Sequence, residues 1–264
     1  MANVIPVDHV DLARFAVLLD VDGTLLDFAP TPREVWVPPS LRESLARLRD
    51  RTGGAVAFVS GRSLSDMDLI FAPLEFPAIG GHGAEFRPVP GDDGAPSPLP
   101  PLAPAIKKKF ALIRDISPGI ILEDKVHSLA IHFRLAPDAE CEVHRAVTAI
   151  CANFPPDTVE VLPGKAVVEI KQSGFNKGTA VRELMSYPPF RGRRPIFIGD
   201  DVTDELVFPV LNEFDGIGFS VGRRVEGAQG CFDSPHDVRN WLDRISRQPP
   251  VKDAAAAKLS ATCR

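Results

Sequence analysis

A continuous apolar run, Phe15-Ala16-Val17-Leu18-Leu19, leads directly into Asp20-Val21-Asp22-Gly23-Thr24-Leu25. A run with no polar alternation reads as a strand buried on both faces, which is the habit of parallel sheets covered by helices. Two carboxylates two residues apart then emerge at its C-terminal end. In an open α/β sheet that edge is where ligands bind. Carboxylates so close together are costly to bury unless something positive neutralises them. A bound Mg²⁺, a hard cation taking oxygen ligands, is the economical partner, and it directs attention to phosphate chemistry. A calcium loop is a poor alternative: Gly23 is out of place, Thr31 stands where a closing Glu is needed, and a hydrophobic strand precedes.

The rest of the chain extends this pattern. Pro30, Pro32, Pro38 and Pro39 exclude a continuous helix after the motif. Ser40 and Glu43 fit a capping box, and Leu41, Leu45 and Leu48 recur on one helical face up to Gly53-Gly54. Ala55–Val59 reads as a second buried strand, ending at Ser60-Gly61-Arg62. A helix is predicted from Leu64 to Phe71, with Ser63 as its cap. Strand, helix, strand, helix implies a right-handed parallel unit. The pattern returns late. Asn176–Tyr187 reads as a helix, Pro195–Ile198 as a strand running into Gly199-Asp200-Asp201, and a further strand lies near Gly216–Val221.

Between these halves the character changes. Pro88–Pro104 is rich in Pro and Gly and reads as a loop or linker. Lys107–Ile116 and Cys141–Phe154 look helical. Strands are expected at Ile120–Glu123 and Ser128–Arg134, with a hairpin of Val159–Leu162 and Ala166–Ile170 turning at Pro163-Gly164. The expected fold is α/β: a Rossmann-like parallel-sheet core domain, residues 1–84 and 175–247, interrupted by an α+β cap domain at 85–174. Residues 248–264 read as a flexible tail. Hinges are expected near Phe86–Val89 and Gln172–Gly174.

Composition excludes some classes. The 264 residues carry a net charge of −5, which argues against nucleic-acid or membrane-surface binding. No apolar run approaches the ~18 residues of a membrane span, and Met1–Arg14 lacks a signal-peptide core. Cys141, Cys151, Cys231 and Cys263 show no metal spacing and suit a reducing compartment, so a cytoplasmic location is expected.

Four motifs fall at strand ends or a helix start: Asp20-Val21-Asp22-Gly23-Thr24, Ser60-Gly61-Arg62, Asn176-Lys177-Gly178 and Gly199-Asp200-Asp201-Val202-Thr203-Asp204. As a set the chain resembles the haloacid dehalogenase-like phosphatases. That resemblance implies Asp20 as nucleophile and Asp22 as general acid and base. It implies Mg²⁺ held by Asp20, the main-chain carbonyl of Asp22, and Asp200. Ser60 and Lys177 would hold the phosphoryl oxygens, with Asp201 and Asp204 supporting. Arg62 could reach substrate or pair with a neighbouring carboxylate.

The insertion selects the ester. Gly80-Gly81-His82-Gly83-Ala84-Glu85, Glu123-Asp124-Lys125 with His132-Phe133-Arg134, and Val168-Glu169-Ile170-Lys171 resemble the trehalose-6-phosphate phosphatase family. The resemblance implies hydrolysis of trehalose 6-phosphate, the last step of trehalose biosynthesis, and a functional link to trehalose-6-phosphate synthase. It places Glu123, Lys125 and Glu169 on the substrate from the cap, and Gly81-His82-Gly83 from the core. From the residues alone Glu123 and Lys125 could be a solvated strand face, His82 a turn residue, and His132 a packed histidine. Another sugar-phosphate phosphatase, or a catalytically silent partner of the synthase, are the alternative readings.

Overall fold

The computed structural model describes residues 11–29, 34–91, 100–155 and 158–249. The expected tail therefore lies almost wholly outside the described residues, as do most of Met1–Arg14, Cys263 and the middle of the Pro88–Pro104 loop.

In chain order the main elements are β1 (Phe15–Leu19), α1 (Pro39–Arg51), β2 (Val56–Val59), α2 (Leu64–Phe71), β3 (Ala78–Gly80) and β4 (Glu85–Arg87). Then come α3 (Pro104–Ala111), β5 (Ile121–Asp124), β6 (Ser128–His132), α4 (Glu140–Cys151), β7 (Val159–Gly164) and β8 (Val167–Gln172). The chain finishes with α5 (Lys177–Leu184), β9 (Arg194–Gly199), α6 (Val202–Glu205), α7 (Phe208–Leu211), β10 (Ile217–Val221), β11 (Gly230–Phe232) and α8 (Pro235–Arg247).

Seven strands form the core sheet in the order β11-β10-β9-β1-β2-β3-β4, parallel except for the antiparallel edge strand β4. β1 is central because both its faces are apolar. Val17 and Leu19 pack against α1, α2 and α8, while Ala16 and Leu18 pack against α5 and α7. The rising strands all end at one edge, so Asp20, Ser60 and Asp200 are neighbours there although distant in sequence.

The insertion folds as a four-stranded antiparallel sheet, β5-β6-β8-β7, with its own core. Leu129, Ile131, Val168 and Ile170 face α3 and α4. Residues alternating with these lie on the opposite face. Register places His132 between Ile121 and Val167, and Ala130 between Glu123 and Glu169.

Three expectations are corrected. α1 starts at Pro39 rather than Ser40, with Pro38 as its cap and no side-chain capping bond. Proline in the first turn is already fixed at helical φ and lacks the N–H a cap would satisfy. The cap hairpin does not turn at Pro163-Gly164: both residues remain in β7, and the turn passes through Ala166 at φ 60°. Finally, Glu85–Arg87 belongs to the core sheet through pairing with β3, so the insertion starts after Arg87 rather than at 85. Arg87 fastens this strand by donating two hydrogen bonds to Asp68.

Candidate active site

Asp20 is 4% exposed at the end of β1. Asn176 caps α5 through a reciprocal capping box with Thr179, which fixes Lys177 at the first helical position. Lys177 Nζ then donates to Asp20 Oδ1 at 2.8 Å and to Asp204 Oδ1 at 2.7 Å. Asp204 is held in turn by the Asp201 main-chain N–H at 3.0 Å. Gly199 is required here, since a Cβ on it would lie 2.4 Å from Asp204 Cγ. Thr24 Oγ1 donates to Asp200 Oδ1 at 3.1 Å. Gly23 adopts φ +79°, and a Cβ there would meet Asp200 Oδ2 at 2.2 Å.

Charge crowding shifts these groups. Burial pushes Asp200 up to about 8, aided by the Asp20 and Asp204 carboxylates. Burial likewise pushes Asp204 up to about 7, against the pull of Lys177. Asp20 is raised by its burial too. Lys177 loses hydration, yet Asp20 and Asp204 hold its ammonium well above the usual lysine range.

The carboxylate oxygens of Asp20, Asp200 and Asp204 lie within 4.8 Å of one another. Three hard oxygen donors with raised proton affinity fit a small divalent cation. Asp204 is already engaged by Lys177 and the Asp201 N–H, which leaves Asp20 and Asp200 as the more available pair. Asp22 directs its carboxylate elsewhere. Arg62 Nε donates to Asp22 Oδ2 and Arg62 Nη2 to Asp22 Oδ1, each at 2.6 Å. Of the two roles open to Arg62, substrate or a neighbouring carboxylate, the structure shows the carboxylate.

Ser60 is buried beside this pair, and its Oγ accepts from the Arg62 N–H at 3.2 Å. The cap closes over it. Lys125 Nζ donates to the Gly61 carbonyl at 3.3 Å and to Glu169 Oε2 at 3.0 Å. Glu169 also accepts from Ser128 Oγ at 2.5 Å and from His82 Nε2 at 3.2 Å. Burial works against the Glu169 anion, but Lys125 and then His82 and Ser128 hold its carboxyl well below the usual range. His132 is hydrogen-bonded to Glu123 Oε2 at 2.9 Å, in keeping with a packed histidine. Arg134 reaches main-chain carbonyls of Ala29 and Lys165 and pairs with no carboxylate among its described hydrogen bonds.

One cavity of about 920 Å³ joins these groups, lined by Asp20, Asp22, Ser60, Arg62, Lys177, Asp200 and Asp201 from the core and by Glu123, Lys125 and Glu169 from the cap. His82 lines it as well, at φ 57°. Gly81 and Gly83 do not. A Cβ on Gly83 would stand 2.6 Å from the Asn176 carbonyl at the start of α5, and Gly81 holds φ +54°. Sequence reasoning missed Phe28, Ile121, Leu135 and Arg223, which also line the cavity. None belongs to a motif. Thr24 does stand in the first motif, and a hydroxyl two residues beyond Asp22 is a signal that could have marked it as a carboxylate donor.

A parallel α/β core with a carboxylate-lysine cluster at its strand ends, roofed by an inserted polar sheet, defines a capped phosphatase. The chain belongs to the trehalose-phosphatase family, whose model matches residues 18–234. It is 41% identical to a probable trehalose-phosphate phosphatase of Sinorhizobium fredii, over 85% of this chain and 84% of that one. It is 35% identical to the trehalose-6-phosphate phosphatase of Escherichia coli, over 89% and 87% respectively. Its fold matches the C-terminal domain of C. albicans trehalose-6-phosphate phosphatase with a TM-score of 0.79 at 21% identity, covering 88% of this chain and 92% of that domain. No helix of the described residues is long and apolar enough to cross a membrane.

Proposed function

We propose that the protein hydrolyses trehalose 6-phosphate to trehalose and phosphate through an aspartyl-phosphate on Asp20. The observation that carries this reading is the single cavity shared by the Asp20–Lys177–Asp204 cluster and the Lys125–Glu169 pair. Core groups supply the chemistry and cap groups read the sugar.

Asp20 attacks phosphorus with a carboxylate oxygen, and the bond to the sugar oxygen breaks. Asp22 delivers a proton to the departing oxygen, then takes one from the water that cleaves the acyl phosphate. Arg62 fixes the rotamer from which Asp22 acts. Lys177 and Ser60 hold the non-bridging oxygens as charge redistributes. Asp20, Asp200 and the Asp22 carbonyl would hold Mg²⁺, which when bound screens the repulsion between Asp20 and the phosphate dianion. Glu123, Lys125 and Glu169 would accept and donate hydrogen bonds at sugar hydroxyls. A cytoplasmic site of action and a link to the synthase that makes the substrate go with this reading.

Phosphate release across a panel of sugar phosphates tests it. Trehalose 6-phosphate should lead; a tenfold preference for glucose 6-phosphate would sink the assignment, and no turnover of any ester would make the protein a silent partner. Glu169→Ala should lower kcat/KM for trehalose 6-phosphate far more than for a small aryl phosphate, because the carboxylate it removes binds sugar hydroxyls that the aryl ester lacks. Equal reductions on both would remove Glu169 from sugar recognition.

Metal dependence has a pH signature. The folded values of Asp200 and Asp204, about 8 and about 7, stand above the 3.8 expected of an unperturbed Asp. A raised folded value favours the folded state fully below about pH 4, and that contribution is lost as pH rises through about 7 to 8. Protein stripped with EDTA should therefore melt progressively lower from about pH 5 to about pH 9. The rise in Tm on adding Mg²⁺ should grow over the same window, because its ligands must be deprotonated. A Mg²⁺ effect independent of pH would contradict this ligand set.

A further inference from the structure

We infer that Lys171 is a positioning residue: it ties the cap strand that carries Glu169 to the start of the helix that carries Lys177, and so sets the distance between the sugar-reading carboxylate and the phosphate-holding ammonium. The inference rests on the function proposed above and extends it to a residue outside the cavity. A lysine is seldom fully buried unless it is paired. Lys171 is 1% exposed, and it closes the Val168-Glu169-Ile170-Lys171 segment without lining the cavity.

Its ammonium has three neighbours. Lys171 Nζ donates to the Phe175 carbonyl at 2.6 Å, lies 2.5 Å from Glu160 Oε2, and stands 4.3 Å from the centroid of the Phe175 ring. Glu160 is its register partner on β7, so that ion pair lies within the cap sheet. The two contacts with Phe175 reach beyond the sheet. The Gln172–Gly174 connection, where a hinge was expected, lies between Lys171 and Phe175, with Gly174 at φ +103°. The Lys171 side chain spans this connection and closes it into a loop.

Both ends of the span bear on the site. On the cap side, Glu169 is two residues before Lys171 and shares its face of β8. Ser128, the register partner of Lys171 on β6, donates to Glu169 Oε1 at 2.5 Å. On the core side, Phe175 is buried and directly precedes Asn176, the cap that fixes Lys177 at the start of α5. A second tie runs beside the first. Glu169 is hydrogen-bonded to His82, and the Gly81–Gly83 turn that holds His82 packs Gly83 against the Asn176 carbonyl. Strand β8 is thus fastened to the start of α5 at two points, by Lys171 directly and by Glu169 through that turn. Sugar hydroxyls that engage Glu169 compete with His82 for it. Lys171 stands outside the cavity, so its contacts persist when substrate is bound. A displacement of about 1 Å between groups that hold one substrate can cost about a hundredfold in rate, which is the error this tie prevents.

The test compares kcat/KM for trehalose 6-phosphate and p-nitrophenyl phosphate in Lys171→Met, with thermal melts on each protein. Methionine keeps the volume and removes the cation. The ratio of the two constants, sugar ester over aryl ester, should fall at least about tenfold, mainly through KM for the sugar ester. The aryl ester should keep its rate within about threefold, since Lys177 retains its cap and both its carboxylate partners. Val143→Ala is the control for a loosened cap: it opens the cap core behind the sheet and should lower Tm without moving the ratio. A glycine inserted between Ser173 and Gly174 gives a reading that does not depend on Lys171→Met folding. A Cβ at Gly174 would meet nothing within 4 Å, so the added residue has room, and with Lys171 in place the ratio should stay within about threefold. A tenfold fall on insertion would mean that chain length, not Lys171, sets the separation. A ratio within about twofold of wild type in Lys171→Met, or an equal fall in Val143→Ala, overturns the tie while leaving the disaccharide reading intact. A wild type that prefers glucose 6-phosphate overturns both.

Discussion

An Asp20→Asn variant is expected to lose at least about a thousandfold in turnover while keeping its fold, because the covalent route disappears with the nucleophile. Asparagine has nearly the same shape, and its carbonyl can still accept the 2.8 Å hydrogen bond from Lys177. Lys177 also keeps Asp204 as a full ionic partner at 2.7 Å. The substitution removes one of three clustered carboxylates, and burial already raises the proton affinity of Asp20. The metal-free variant should therefore melt no lower than wild type at pH 8, which separates lost chemistry from lost structure. Phosphate release and a thermal melt on the same preparation decide the matter. Retention of more than about a tenth of normal turnover would exclude an aspartyl-phosphate on Asp20.

Lys177→Met should be damaging in two ways. Removing one fixed donor to a transition-state oxygen lowers kcat by roughly a hundred- to a thousandfold. The structural effect is separate. Lys177 is 2% exposed and is the shared cation of Asp20 and Asp204. Methionine fills similar volume but leaves two buried carboxylates without a cation, which costs about 3–5 kcal/mol when such a pair is broken. The sign of its pH dependence follows. Protonation neutralises the orphaned carboxylates, so the deficit in Tm should be greatest above about pH 7 and shrink towards about pH 5. A deficit that is constant across that range would mean packing, not charge, is what Lys177 contributes.

How much of this was legible in the sequence depended on how local the cause was. β1 was legible because burial on both faces leaves an unbroken apolar run from Phe15 to Leu19. Ser63 as the α2 cap and the start of α5 after Asn176 were legible because capping is a contact between near neighbours. β4 was not legible: three residues, Glu85–Arg87, at a sheet edge carry no periodicity, and only pairing with β3 makes them a strand. The two expected functions of Arg62 could not be separated, since its partner Asp22 is 40 residues away in sequence. Gly81 and Gly83 were expected at the substrate; neither lines the cavity, and Gly83 is held close against the Asn176 carbonyl. Phe28 carried no signal at all, because an isolated aromatic in a proline-rich loop gains meaning only once the fold brings its ring beside Gly23 and Asp200.

The place of β1 at the centre of the core sheet has a bearing on how the molecule is made. Its two neighbours are β2, close behind in sequence, and β9, roughly 175 residues later. At ~5–20 residues per second, a nascent chain carries the open edge of β1 for about ten to thirty seconds before β9 emerges from the ribosome. Asp200 and Asp204 arrive with that same late segment, and Lys177 only shortly before it. A chain cut short anywhere in the insertion therefore has Asp20 but lacks Lys177, Asp200 and Asp204. It also presents an unpaired hydrophobic strand, the kind of surface that chaperones bind.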